Sequence, residues 1–254
     1  MNVSKLLTEL AALKTNEQAV IYKDQQFTYA QLNSAANALA GYLEDQGVGG
    51  RDNIAVILPN CVEFAFIYFA AAKIGAIFTP IDNRLVDNEI KVILVDTRAK
   101  VCFVFSDFKH KKSLSQHIPV IDIDSEPFTS VLQNRPDSED ISAEVNPADT
   151  ALYLHPSRTT GKPKIVELTY AYFNCFPEAM KHCTLQGEKE VLGIILPMSH
   201  ISGPIILNLL LANRCTLVII DSINPVSLFD NIAKHKITYF HAVPPIFSLM
   251  LQSG

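Results

Sequence analysis

Residues 155–169 read HPSRTTGKPKIVELT and gather Ser157, Thr159, Thr160 and Gly161 with three basic side chains, Arg158, Lys162 and Lys164. A turn of small hydroxyl residues after an apolar run can donate backbone N–H and O–H groups to phosphate oxygens, while lysine offsets their charge. It is not a Walker A loop. Gly161-Lys162 is followed by Pro163, where that motif needs Ser or Thr, and Pro156 stands where its first glycine would fall. The residues alone leave two readings open, a phosphate cradle and a solvated basic turn.

The remaining chemistry-bearing groups are sparse. No G-x-S-x-G stretch exists, so the adjacent Ser199 and His200 lack the elbow of a hydrolase nucleophile. Cys175, His182 and Cys183 lack a fourth ligand at structural-zinc spacing, and no metal site is expected in the chain. Acidic groups at 122–126 and 137–140 read as solvated faces.

The elements that must position the loop alternate between helix and strand. An amphipathic helix opens the chain in MNVSKLLTELAALKTNEQ. Thr28 with Gln31 three residues on forms a capping box for a helix whose apolar face is Leu32, Ala35, Ala36, Leu39 and Leu43, with Gly47 as its stop. NIAVILP is apolar without alternation, as a parallel strand covered on both faces should be. Asn60 is expected to cap a helix through Lys73 that ends at Gly75, before a strand AIFTPI. Next come a helix at 87–96 and strands at 100–106 and 118–123. Residues 124–149 hold three prolines and no clear apolar period, and read as a loose segment within the same domain. After strand TALYLHP and the loop, a helix is expected from Thr169. Strand VLGIILP, a helix at 203–212, strand CTLVIID, a helix begun by Asn224-Pro225, strand TYFHAVP and a helix from Pro245 complete the pattern. Alternating β and α with apolar strands gives an α/β fold of largely parallel sheets with flanking helices.

Composition bounds the partners. Hydrophobic residues make up 48% and charged ones 19%, so the chain can bury a full core. The net charge of −5 gives no electrostatic case for nucleic acid or an anionic membrane. Gly193–Ala212 is uncharged and long enough to span a bilayer, but Pro197, Ser199, His200, Ser202 and Pro204 would be costly there. It reads as a buried strand, a polar turn and a buried helix. No signal peptide is evident, and five scattered cysteines without a C-x-x-C pair suggest reduced thiols in a cytoplasmic protein.

SRTTGKPK resembles the signature loop of the adenylate-forming superfamily (acyl- and aryl-CoA synthetases, nonribosomal adenylation domains and luciferases), usually of the form YTSGTTGKPKGV. The segment from Phe27 to Leu85, with its L-P-N turn and G-A-x-x-x-P strand, resembles that superfamily's N-terminal part. LPMSHISG is similar to a later motif bordering the acyl pocket, and ITYFHAVPPIFSLML to the strand and helix after it.

The resemblance implies the truncated N-terminal domain of an adenylate-forming ligase over residues 1–254. Such enzymes convert a carboxylic acid and ATP to acyl-adenylate and pyrophosphate, commonly followed by a thioester to coenzyme A, as in fatty-acid activation. Carried over by position, Thr160 and His200 are the catalytic candidates, His200 at the junction of nucleotide and acyl pockets. Ser157, Arg158, Thr159, Thr160, Gly161, Lys162 and Lys164 are the candidates for holding ATP. The family's downstream G-Y-G-x-T-E-like segment, ribose-binding aspartate and C-terminal lysine domain do not occur in this sequence, so the ligands for Mg would lie outside it.

Two departures stand out. Arg158 and Ile165 replace glycines, which permit close backbone approach to a ligand, and Pro156 replaces a hydroxyl residue. The resemblance therefore implies a ligase part that is inactive alone, or a degenerate, non-catalytic relative that binds a ligand or partner. The apolar C-terminal segment PPIFSLML is an expected surface for self-association.

Overall fold

In this computed structural model the described residues are 2–134, 140–155, 164–173, 175 and 190–253. Eleven strands form two sheets among these residues. Helix α1 (Val3–Leu13) precedes strands β1 (Gln18–Tyr22) and β2 (Gln25–Thr28), followed by α2 (Tyr29–Asp45), β3 (Asn53–Ile57), α3 (Val62–Ile74) and β4 (Ile77–Pro80). Next come α4 (Asp87–Asp96), β5 (Ala99–Val104), α5 (Lys111–Leu114), β6 (Val120–Asp122) and α6 (Glu126–Asn134). Strands β7 (Thr150–Leu154), β8 (Val166–Thr169) and β9 (Val191–Ile194) precede α7 (Ser202–Asn213), β10 (Thr216–Ile219), α8 (Pro225–His235), β11 (Tyr239–His241) and α9 (Pro244–Ser253).

One sheet has the order β11-β9-β10-β1-β2 and the other β6-β5-β3-β4-β7-β8. Among the described residues, only the β1–β2 and β7–β8 pairs are antiparallel. The expected largely parallel α/β architecture is what the chain adopts.

Burial follows from the strand period of two. All five residues of β3 are buried. Ile54 and Val56 face the main core, which they share with Val20, Leu192 and Leu217 of the other sheet, while Ala55 and Ile57 face a separate cluster with Ile90 and Ile93 of α4. On the far side of the second sheet, Ile21, Val218 and Ile220 meet Leu228 of α8. Helices therefore lie outside each sheet and between them. Helix α3 touches β4 of one sheet and β1 of the other. Phe64 packs edge-on against Phe78, with ring centroids 5.2 Å apart. A helix apolar all round, VEFAFIYFAAA, is one that must be enclosed.

Local signals set several boundaries. Thr28 accepts from the Gln31 N–H at 3.2 Å, and the Thr28 N–H donates to Gln31 Oε1 at 2.9 Å, closing the capping box. Gly75 ends α3 at φ 68, in the left-handed region that suits glycine. Gly193–Ala212 divides into β9, a polar turn and α7, and among the described residues no helix is long and apolar enough to cross a membrane.

Two expectations need correction, and a hairpin and a further strand are unannounced in sequence. The β1–β2 hairpin is unannounced in sequence, because its turn uses Lys23 at φ 56 instead of glycine. β8 is likewise unannounced: Val166–Thr169 pairs with β7, and the helix expected from Thr169 begins directly after it, at Tyr170. Cys61, not Asn60, occupies the N-cap position of α3 and makes no side-chain cap bond. The acidic groups are not all solvated faces. Asp122 takes the Ser106 hydroxyl at 2.8 Å.

Asp140 accepts from the fully buried Lys73 Nζ at 3.1 Å, Asn37 Nδ2 at 3.0 Å and Thr8 Oγ1 at 3.0 Å. A buried ammonium must be compensated, and the partner lies 67 residues away in sequence. Within the polar stretch 124–149, α6 sets Phe128 against Phe103, centroids 6.2 Å apart.

Candidate functional site

Parallel strands of open α/β sheets present their carboxyl ends to ligands, because the loops leaving them diverge there. In this chain the carboxyl ends of β3, β9 and β10 meet. Asn60, just after β3, donates from Nδ2 to the carbonyls of Leu196 and Ile220, each at 3.1 Å, and accepts the Met198 N–H at 2.8 Å. Those carbonyls follow β9 and β10 of the opposite sheet.

The loop from Pro197 to Ile201 carries Ser199 and His200. It is tightly closed: the His200 N–H donates to Pro197 O at 3.0 Å, and the Gly203 N–H to His200 O at 3.0 Å. His200 itself is exposed, in a cleft of about 170 Å³ lined by Leu154, His155, Val166, Ser199 and Ile201. Facing it is the turn after β4. There Arg84 forks onto Asp82, with Nη2 to Oδ2 at 2.6 Å and Nε to Oδ1 at 2.9 Å. The Arg84 guanidinium holds the Asp82 carboxyl below its ordinary range, and His200 adds a smaller pull in the same direction.

Beside this cleft, Ile194, Leu196, Ile201, Ile205, Leu209 and Tyr239 enclose a largely apolar pocket of about 290 Å³, with Ser202 and His241 as its polar members. A pocket of aliphatic walls and few polar groups suits an uncharged hydrocarbon or aryl body. Cleft and pocket share Ile201, so the polar and apolar compartments adjoin at the His200 loop.

Ser157, Arg158, Thr159, Thr160, Gly161 and Lys162, predicted to hold phosphate, lie outside the described residues. The two flanks of that segment are in place. His155, directly after β7, and Val166, the first residue of β8, line the cleft together with His200, and Lys164 is exposed two residues before β8. Among the described residues, no group of three or more His, Cys, Asp or Glu side chains could hold a metal ion. Cys61, Cys102 and Cys215 are buried free thiols, and Cys175 is an exposed one.

Sequence reasoning overlooked His155. Burial pushes its imidazole down to about 4, and neither ring nitrogen has a hydrogen-bond partner among the described residues. An unfolded histidine takes up its proton near pH 6.5, whereas this one resists protonation until about 4 in the folded chain. The stability it confers is complete above pH 6.5 and drains away as pH falls toward 4. His155→Phe should therefore narrow the gap between melting temperatures at pH 7 and pH 4.5. An unchanged gap would mean that the ring is solvated. His235, shifted the same way chiefly by burial, supplies a remaining slope.

The AMP-binding enzyme family matches residues 7–254. Crotonobetaine/carnitine–CoA ligase of Citrobacter koseri is 27% identical over 99% of this chain and 53% of its own length. Long-chain-fatty-acid–CoA ligase FadD13 of Mycobacterium tuberculosis is 26% identical over 99% of this chain and 51% of its own. The chain thus spans about half the length of these relatives. Among solved structures, o-succinylbenzoate CoA synthetase of Bacillus subtilis, in complex with an acyl-adenylate intermediate, superposes with a TM-score of 0.89 at 25% identity. That match covers 98% of this chain and 64% of the other. The N-terminal domain of FACL13 from M. tuberculosis gives 0.91 at 25% identity, covering 99% and 65%.

Proposed function

Because the chain belongs to the AMP-binding enzyme family, we propose that it is the acid- and phosphate-binding part of an ATP-dependent ligase that activates a carboxylic acid as its acyl-adenylate, with coenzyme A as the later acceptor. The observation that carries this reading is the adjoining pair of compartments at the His200 loop: an apolar pocket beside a polar cleft, at the carboxyl ends of strands from both sheets. The apolar pocket takes the body of the acid. Its carboxylate lies toward His200, in the cleft lined by His155 and Val166.

Each candidate residue then has a physical task. Ser157, Thr159, Thr160 and the Gly161 backbone donate hydrogen bonds to phosphate oxygens, and Arg158, Lys162 and Lys164 offset their charge. Thr160 and His200 stand nearest the developing charge as the carboxylate attacks the α-phosphorus and pyrophosphate leaves. A preorganised set of donors stabilises that charge without reorganisation at the moment of reaction. Mg, where the ligase uses it, is held by residues outside this sequence.

The test is carboxylate-dependent exchange of labelled pyrophosphate into ATP, across a panel of fatty and aryl acids. The proposal assigns the ribose site and the C-terminal lysine domain to residues outside these 254, so this chain alone should show no exchange above background. Clear acid-dependent exchange would show that the cleft is a complete active site. A second reading, a binding module without turnover, is favoured by Arg158 and Ile165 at positions where the superfamily carries glycine. Tighter ATP binding in Arg158→Gly would support it.

A further inference from the structure

We propose that Asn60 is a positioning residue that fixes the His200 loop to the ends of both sheets. The inference rests on the reading that the His200 loop borders the ligand cleft. Asn60 Nδ2 points at the carbonyls of Leu196 (3.1 Å), Ile220 (3.1 Å) and Ile195 (3.5 Å), and Oδ1 accepts the Met198 N–H at 2.8 Å. Carbonyls on one side and an N–H on the other fix the amide's orientation. Leu196 and Met198 flank Pro197, where the His200 turn closes. The side chain therefore grips the loop just before its reactive end and ties it to β10 through Ile220.

No other short side chain does this. Aspartate keeps an acceptor for Met198 but presents negative charge to three carbonyl oxygens. Leucine matches the shape and leaves every one of these backbone groups without its bond, a cost that falls on the loop because Met198 is 1% exposed and cannot turn to water. Asn60 also stands on the β3 side of the cleft, whereas His200 stands on the β9 side. This amide is therefore a direct tie between the two sheet ends.

The experiment is native-state amide exchange, read by NMR at Met198 and His200, in wild-type chain and in Asn60→Ala, Asn60→Asp and Asn53→Ala. Asn53 is the control. It opens β3, at the end of that strand away from Asn60, with Nδ2 donating to Thr97 O at 2.9 Å, and its loss lowers global stability without touching the loop.

Asn60→Ala should accelerate Met198 exchange by about tenfold beyond the change in core amides, the equivalent of the one hydrogen bond from its N–H to Asn60 Oδ1. Asn60→Asp should keep Met198 within about threefold of wild type while still shifting the His200 ring resonances, because the acceptor survives and the donors do not. Asn53→Ala should move Met198 only in step with the core. Met198 and His200 unchanged in Asn60→Ala, or altered equally in Asn53→Ala, would overturn the inference. Should Asn60→Ala not fold, the Asn60→Asp pattern decides alone, since unshifted His200 resonances there contradict it. These readouts need no nucleotide, so they stand or fall separately from the ligase reading.

Discussion

Gly203→Ala is expected to lower the melting temperature by about 10 °C, the equivalent of roughly 3 kcal/mol for a chain of this size. A Cβ at Gly203 would sit 2.2 Å from Met198 O, 2.7 Å from Met198 Cα and 2.8 Å from Met198 C. These are backbone atoms, and they belong to the loop that Asn60 and the His200 turn hold in place, so nothing can rotate away. The loop must shift or the first turn of α7 must unwind, and both disturb the cleft.

Gly193→Ala is the matched comparison. Its Cβ would meet Ile237 Cδ1 at 3.0 Å and Phe240 Cδ2 at 3.1 Å, which are ends of side chains with room to adjust. It should cost about 1 kcal/mol. Thermal melts of the two variants side by side give the answer. Equal losses would mean that the loop yields freely and that its geometry is not fixed.

What could be read in the sequence was local. The Thr28–Gln31 box, Gly75 after α3 and the Asn224-Pro225 start of α8 all act within four residues, and each marks a helix end in the structure. The apolar strands declared two covered faces before any partner was known. The features that escaped depend on distant partners. Asn60 has the residue type and spacing of a helix cap, yet carbonyls some 135 to 160 positions away claim its amide. Asp140 sits in an acidic run that looks solvated until Lys73 reaches it.

The β1–β2 turn lacks glycine because Lys23 takes the left-handed conformation itself. His155 gave no signal at all, since a histidine beside a proline says nothing of what will bury it. For the site, the resemblance pointed to the basic loop and His200. The structure brings the His200 loop, His155 and the start of β8 to one cleft, and the apolar pocket next to it was not legible from periodicity.

The most direct test of the account is whether this cleft takes nucleotide phosphate. Calorimetric titration of ATP should give weak, saturable binding at low salt, with a Kd on the order of 1 mM, as expected for phosphate contacts without an enclosing adenine pocket. Raising the ionic strength to about 0.5 M should weaken it further, because charges in an open cleft are screened. Lys164→Ala should weaken it by about fivefold through loss of one charge-assisted contact. Lys164 is exposed, so its removal leaves the fold intact and the change reports on binding. Saturable, salt-sensitive binding that falls in Lys164→Ala is the predicted result. No detectable binding, or binding indifferent to both salt and Lys164, would mean that residues 155–169 form only a basic turn.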